Sequence, residues 1–356
     1  MNSTGSRPEL LRAVIRPFAA PFWAAQLLTG AKSFMDNPMI GSRQLNERGL
    51  HVGRVALAHR LAARRRRAIG ANVEPADRAA FERDGFVVKR DFLAPALFER
   101  LCAQIRVHRG QGREMVQGDT ITRRIAIDPA TLSRIPAMRD VLAMPEWHWL
   151  IRFAWSYNAA PLVYVQTILS HVLSGPEDPQ CALHADTFHP TVKAWLFLTD
   201  VAEDEGPFTY VPGSHRATTA RLDWEKRMSL RAPDAPDRMT RRGSFRVEAS
   251  ELAELGLPPP VALAVPANTL VVADTHGFHA RGPSVRPTRR VEIWAYGRRN
   301  PFLPWIGLDP WSIGELGHYR VPLYWRGGDL AEGLGMKRNV WRPRDGVSAF
   351  DGAVPS

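Results

Sequence analysis

Between Pro161 and Gly297 the chain is cut into short apolar segments. They read LVYVQTILSHVL, TVKAWLFLTDV, PFTYVPGS, VALAVP, TLVVAD and RRVEIWAYGR, each β-branched or aromatic and bounded by Gly, Pro, Asp or Asn. Runs of this length are strands, and no long helical pattern separates them. Many short strands in series bury their apolar faces by forming two layers, so the pattern predicts a two-sheet sandwich or jelly roll.

The segment before it, DRAAFERDGFVVKRDFLAPALFERLCAQI, reads as helix, short strand and second helix, and residues 75–150 as a whole read as mainly helical. The chain therefore divides into a basic, partly amphipathic extension (1–70), a jelly-roll domain with helical support (71–300) and a Pro-, Gly- and Trp-rich tail (301–356). The net charge of +11 is concentrated in the extension, where 12 Lys or Arg face 3 Asp or Glu. Two cysteines, Cys102 and Cys181, exclude a disulfide-built scaffold and read as reduced thiols. No stretch reaches the roughly 18 unbroken apolar residues of a membrane span. Residues 13–30 come nearest, but Arg16, Pro17 and Pro21 interrupt them and also spoil a signal peptide, so a cytoplasmic protein is expected.

Two places carry chemistry. His184 and Asp186 stand two residues apart, and in extended chain such a pair points to one side with Cα atoms about 7 Å apart. About ninety residues on, VVADTHGFHARGPSVRPTRRVEIWAYG offers a further histidine, His276 or His279. Two imidazoles and one carboxylate on one face of an ion leave positions open, which suits non-haem Fe(II) rather than structural zinc.

In order along the chain, FERDGFVV, HAD, AWLFLTDVAEDEGPFTYVPGSHR and HARGPS followed by an arginine strand make the sequence similar to the phytanoyl-CoA dioxygenase family of Fe(II)- and 2-oxoglutarate-dependent oxygenases, over roughly residues 76–300. The resemblance implies a mainly β fold with α, a double-stranded β-helix (jelly roll, cupin-like) core flanked by N-terminal helices. It implies that His184, Asp186 and His279 are the iron ligands, with His279 preferred to His276 because Gly282-Pro283 follows at the family's offset. It implies that Arg290, eleven residues further, holds the far carboxylate of 2-oxoglutarate, for which a guanidinium offers a planar two-point fork. Arg289, pointing to the opposite face of a strand, is the competitor. Trp195 and Gln166 match positions that contact the cosubstrate in relatives. Arg281 departs from the family's serine, and the PGSH turn, with His215, is expected to shape the fold.

The activity so implied uses Fe(II), 2-oxoglutarate and O2 to hydroxylate a C–H bond, with succinate and carbon dioxide as coproducts. Retention of Asp186 favours hydroxylation over halogenation, for which related enzymes lose the carboxylate. For the substrate, the arginine-flanked apolar stretch and the run RRRR suggest a small or lipid-like, long-chain acyl compound, with peripheral contact to an anionic membrane through residues 1–70. A nucleic-acid dealkylase is the competing enzyme reading, although no nucleic acid is expected since the arginine run lacks interleaved aromatics. A non-catalytic jelly-roll binding module is the competing non-enzymatic one.

Overall fold

The computed structural model describes residues 20–307 and 309–353. The N-terminal half of the amphipathic stretch read above, up to residue 19, lies outside them. Eight antiparallel strands form the large sheet, in the order β1 (Phe86–Lys89), β8 (Thr269–Asp274), β5 (Val192–Phe197), β10 (Thr288–Gly297), β4 (Leu162–Ser170), β3 (Thr120–Ala126), β2 (Gly110–Gln117) and β11 (Arg342–Val347). A second sheet has the order β7 (Val261–Leu263), β6 (Phe208–Tyr210), β9 (His279–Arg281). The architecture is mainly antiparallel β with helices, but the sheets do not close into a barrel. The strands of the smaller one are three residues long, too short to pair along both edges of the large one.

Alternation along the central strands explains the layering. Val192, Ala194 and Leu196 of β5, Leu270 and Val272 of β8, and Val291, Ile293 and Ala295 of β10 pack into the main core with the helices. Their neighbours, Trp195, Phe197, Val271 and Trp294, turn to the other face with Phe208 and Tyr210 of the small sheet. Arg290 and Lys193 are on that second face, so two charges occupy strand positions where the pattern otherwise places apolar groups.

The helix–strand–helix pattern is present as Pro75–Asp84, β1 and Pro95–Val107. Residues 75–150 are mainly helical as expected, but β2 and β3 interrupt them and were not foreseen. Arg123 fills an inward position there, wholly buried and bonded to Glu114 and to the backbone oxygens of Ser348, Asp351 and Gly352, so a charge hides the apolar alternation of a strand.

The described part of the extension is built into the fold. The helix Leu50–Ile69 buries His51, Arg54, Val55, Ala58, Ala62, Arg65 and Ile69, a single 3.6-period face. Within the arginine run, Arg65 donates to Ser156 O (3.0 Å) and Leu303 O (2.6 Å), and Arg66 to Ala154 O (2.6 Å), while Arg64 and Arg67 face outward. From the tail, β11 pairs with β2, and Trp325 and Trp341 reach the cavity described next. Cys102 and Cys181 are free thiols. Among the described residues no helix is long and apolar enough to cross a membrane.

Candidate metal centre

His184 and His279 face each other as a reciprocal backbone pair, with His184 N donating to His279 O (3.0 Å) and His279 N to His184 O (2.9 Å). This two-residue ladder brings the imidazoles together, with ring centroids 4.5 Å apart. Asp186, two residues along, is held by its own N–H on Thr275 O (2.9 Å). Metal-ligating atoms of His184, Asp186 and His279 all lie within 4.8 Å of one another, the one such group of three among the described residues.

Each imidazole is anchored through Nδ1, His184 to Ala182 O (2.8 Å) and His279 to Gly277 O (2.9 Å). A carbonyl accepts, so the proton sits on Nδ1 and the Nε2 lone pair faces the site of a cation, with Lys193 Nζ 3.4 Å from His279 Nε2. Both Nε2 atoms lie 3.7 Å from Asp186 Oδ1. Burial pushes both imidazoles below their ordinary range, His279 to about 4 against the opposing pull of Asp186, so they are neutral at pH 7. For Asp186, burial pushes upward, but the Lys193 ammonium and then the two histidines override it and hold the carboxyl well below its usual value. Two neutral imidazoles and one carboxylate fit a divalent transition metal.

Gly277 makes this arrangement possible. A Cβ there would sit 1.8 Å from the Tyr210 hydroxyl, which donates to Asp274 O (2.7 Å) and pins the turn carrying His279. His276, the alternative ligand, points elsewhere: its Nδ1 bonds Thr187 O (2.9 Å) and its ring packs 4.5 Å from His59. The PGSH segment is a turn, in which Ser214 Oγ accepts from Phe278 N (2.8 Å), and His215 packs on Phe81.

The triad opens on a cavity of about 430 Å³, whose walls include Arg290, Trp195 and Gln166. Arg290 Nε donates to Glu292 Oε2 (2.9 Å) and Nη1 to Gly206 O, which leaves Nη2 for a ligand. Arg289 is outside the cavity and donates to Phe350 O. Gln166 has its amide committed, donating to Glu292 Oε1 (2.6 Å) and accepting from Arg124 Nε (2.8 Å); Trp195 packs on Phe208 with centroids 4.3 Å apart. Arg281 also lines the cavity and is paired with Asp178.

Two cavity residues escaped the sequence reading. Lys193 Nζ lies 2.7 Å from Asp186 Oδ2, and its signal was visible, a lone lysine inside the apolar strand VKAWLF and in phase with Trp195. Lys32 Nζ donates to the Asp186 backbone oxygen, and burial, then Arg298, brings its ammonium down to about 7. No local pattern marks it.

Residues 81–244 match the family model of phytanoyl-CoA dioxygenase (PhyH), a span that contains His184 and Asp186 and ends before His279. No curated protein matches the chain. Among solved structures, it is similar to the non-heme alpha ketoglutarate dependent epimerase SnoN from nogalamycin biosynthesis (21% identity, 61% of this chain and 80% of that one, TM-score 0.40). It is similar to HygX from Streptomyces hygroscopicus with nickel and 2-oxoglutarate bound (15%, 63% and 87%, TM-score 0.39). It is also similar to EctD from S. alaskensis with 2-oxoglutarate and 5-hydroxyectoine (16%, 63% and 76%, TM-score 0.37).

Proposed function

From a chain whose residues 81–244 match the family model of phytanoyl-CoA dioxygenase, we propose an Fe(II)- and 2-oxoglutarate-dependent oxygenase that hydroxylates a C–H bond of a small molecule. One observation carries this reading: His184, Asp186 and His279 converge with both imidazoles locked in the tautomer that turns Nε2 towards Asp186 Oδ1. These three residues would hold the ferrous ion. When bound, iron with 2-oxoglutarate and O2 supplies oxidative decarboxylation to succinate and carbon dioxide together with oxygen insertion into the substrate.

The chain's own residues place the reactants. Arg290, kept in position by Glu292 and Gly206, presents Nη2 to the far carboxylate of 2-oxoglutarate. Gln166 acts one step removed, by holding Glu292 and Arg124 in place. Trp195 supplies wall. Lys193 takes Asp186 Oδ2 and leaves Oδ1 for the metal. The retained carboxylate supports hydroxylation as the outcome.

A cavity of this volume accepts one compact organic molecule beside the cosubstrate. Peripheral contact with an anionic membrane draws support within the described residues from outward-facing Arg48, Arg60, Arg64 and Arg67 and from exposed Phe22 and Leu28. The test is succinate release from 2-oxoglutarate by the purified chain with Fe(II) under air, in the presence of small-molecule extracts. Release that persists unchanged in Asp186→Ala rejects the proposal.

A further inference from the structure

The cavity holds more positive charge than that chemistry uses. Six cationic side chains line it, Lys32, Arg124, Lys193, Arg281, Arg290 and Arg298, against the single carboxylate of Asp186. Lys193 is paired with Asp186, Arg281 with Asp178 and Arg290 with Glu292. Lys32, Arg124 and Arg298 remain, and none of them pairs with a carboxylate of the described residues. A divalent metal and doubly charged 2-oxoglutarate cancel each other, so the surplus persists in the loaded site.

Two of the three are built into one place. Lys32 sits on a loop that runs ahead of the family domain and is strapped down by Arg54, which donates to Leu27 O (3.0 Å), Thr29 O (2.9 Å) and Ala31 O (2.6 Å). Phe34 N (2.9 Å) and Met35 N (3.2 Å) fasten its far side to Arg241 O. The loop passes so close to Gly243 (φ +78°) that a Cβ there would lie 2.2 Å from Lys32 O. Arg298, exposed at the cavity mouth, donates to Gly30 O (2.8 Å) on the same loop, two residues from Lys32, and bonds the Tyr296 side chain. Below them Trp294 and Tyr296 stack at 5.5 Å and 5°. Arg290 lies six residues down β10 from Tyr296, about 20 Å of extended strand, so this cation pair is separate from the 2-oxoglutarate clamp. Like charges held together at the cavity mouth repel one another, and a bound anion relieves that cost.

Resting on the oxygenase reading above, we propose that the substrate is an organic oxyanion, its carboxylate or phosphate held at the mouth by Lys32 and Arg298 and its apolar body laid on Trp294 and Tyr296. The N-terminal loop is then a specificity element of the site.

Calorimetry on the full chain with Mn2+ and 2-oxoglutarate tests this with two matched pairs of probes, indole-3-acetate against indole-3-acetamide and phenyl phosphate against phenol. At least one acid binds tenfold or more tighter than its neutral partner, and the pair with the larger ratio identifies the oxyanion. Lys32→Met and Arg298→Gln, on separate elements so that one remains informative should the other misfold, bring the acid down to the affinity of its neutral partner. Equal binding of acid and neutral probe, no binding by either acid, or loss caused by Arg290→Gln instead of these two overturns the inference. Failure of the oxygenase reading looks different: Mn2+ uptake is missing while acid and neutral probes still differ.

Discussion

Lys193 Nζ lies 2.7 Å from Asp186 Oδ2, while Oδ1 of the same carboxylate stands 3.7 Å from both His184 Nε2 and His279 Nε2. One oxygen is tied to the lysine and the other is presented to the imidazoles. The lysine therefore orients the carboxylate and keeps it ionised against the upward push of burial. In Lys193→Met only the two histidines oppose that push, and the Asp186 carboxyl rises. Protons then compete with the metal, at about a tenfold loss of affinity per pH unit below the raised value. Mn2+ affinity measured at pH 7.5 and 5.5 falls more steeply in the variant than in the native protein, and parallel profiles would show that the lysine does not set this ionisation.

His184→Ala, Asp186→Ala and His279→Ala each remove one of three ligands, and Co2+ titrated into these variants gives none of the visible bands expected of the native site. His276→Asn is the control, because the His276 ring is bonded to Thr187 O and meets the His59 ring edge-on. It keeps the cobalt spectrum and lowers Tm. The opposite pattern would move the third ligand from position 279 to 276.

Arg290 lines the cavity with Nη2 uncommitted, whereas its neighbour Arg289 reaches the backbone of Phe350 outside it. A charge-assisted hydrogen bond is worth about 1.5–3 kcal/mol, or roughly 10- to 150-fold in affinity. Arg290→Gln raises KM for 2-oxoglutarate by that factor, and Arg289→Gln by less than about threefold. Initial rates of succinate formation against 2-oxoglutarate concentration decide between them.

His59, His189, His215 and His276 are kept neutral by burial first and by neighbouring arginines after it, His59 being pushed down to about 3. The unfolded chain binds protons below about pH 6.5 that the folded chain refuses down to those depressed values. Stability is therefore at its full value above pH 6.5 and declines as pH falls, by about 1.4 kcal/mol per pH unit for each such imidazole. Tm measured from pH 8 to pH 5 is flat above the neutral range and drops below it. His215→Leu makes the drop shallower, since Nδ1 of His215 has no partner to lose.

The large sheet was legible because β4, β5, β8 and β10 alternate cleanly, one face to the helices and one to the small sheet. The triad was legible because each of its members stands in a short quotable motif. β2 and β3 were hidden by Arg123, whose charge is met by Glu114 on the neighbouring strand and by backbone oxygens more than two hundred positions away. Lys32 was hidden for a related reason. Its place beside Asp186 depends on Arg54 and Gly243, contacts that no local window contains. The run RRRR divides, with Arg65 and Arg66 bonded within the fold and Arg64 and Arg67 facing outward, since a helix repeats every 3.6 residues and four consecutive arginines cannot share one environment.

That last point yields a sharp expectation at Arg66. Its Nη2 lies 2.9 Å from Oδ2 of Asp274, a carboxylate with no exposed surface that burial pushes above its ordinary range. Oδ1 of Asp274 accepts from Thr191 N (3.1 Å) and His276 N (3.0 Å), and its backbone oxygen accepts from Tyr210, so this one residue joins the N-terminal helix to the turn that carries His279. Arg66→Met strands a buried carboxylate oxygen, and removing one partner of such a pair costs about 3–5 kcal/mol. Arg67→Met, on the outward side of the same helix, costs under about 0.5 kcal/mol. In Arg66→Met/Asp274→Asn the orphan charge is gone, so the double variant recovers part of the loss and reports a coupling well above the error of denaturant titration. Equal, small losses at 66 and 67 would make the arginine run a solvated face and detach the extension from the site.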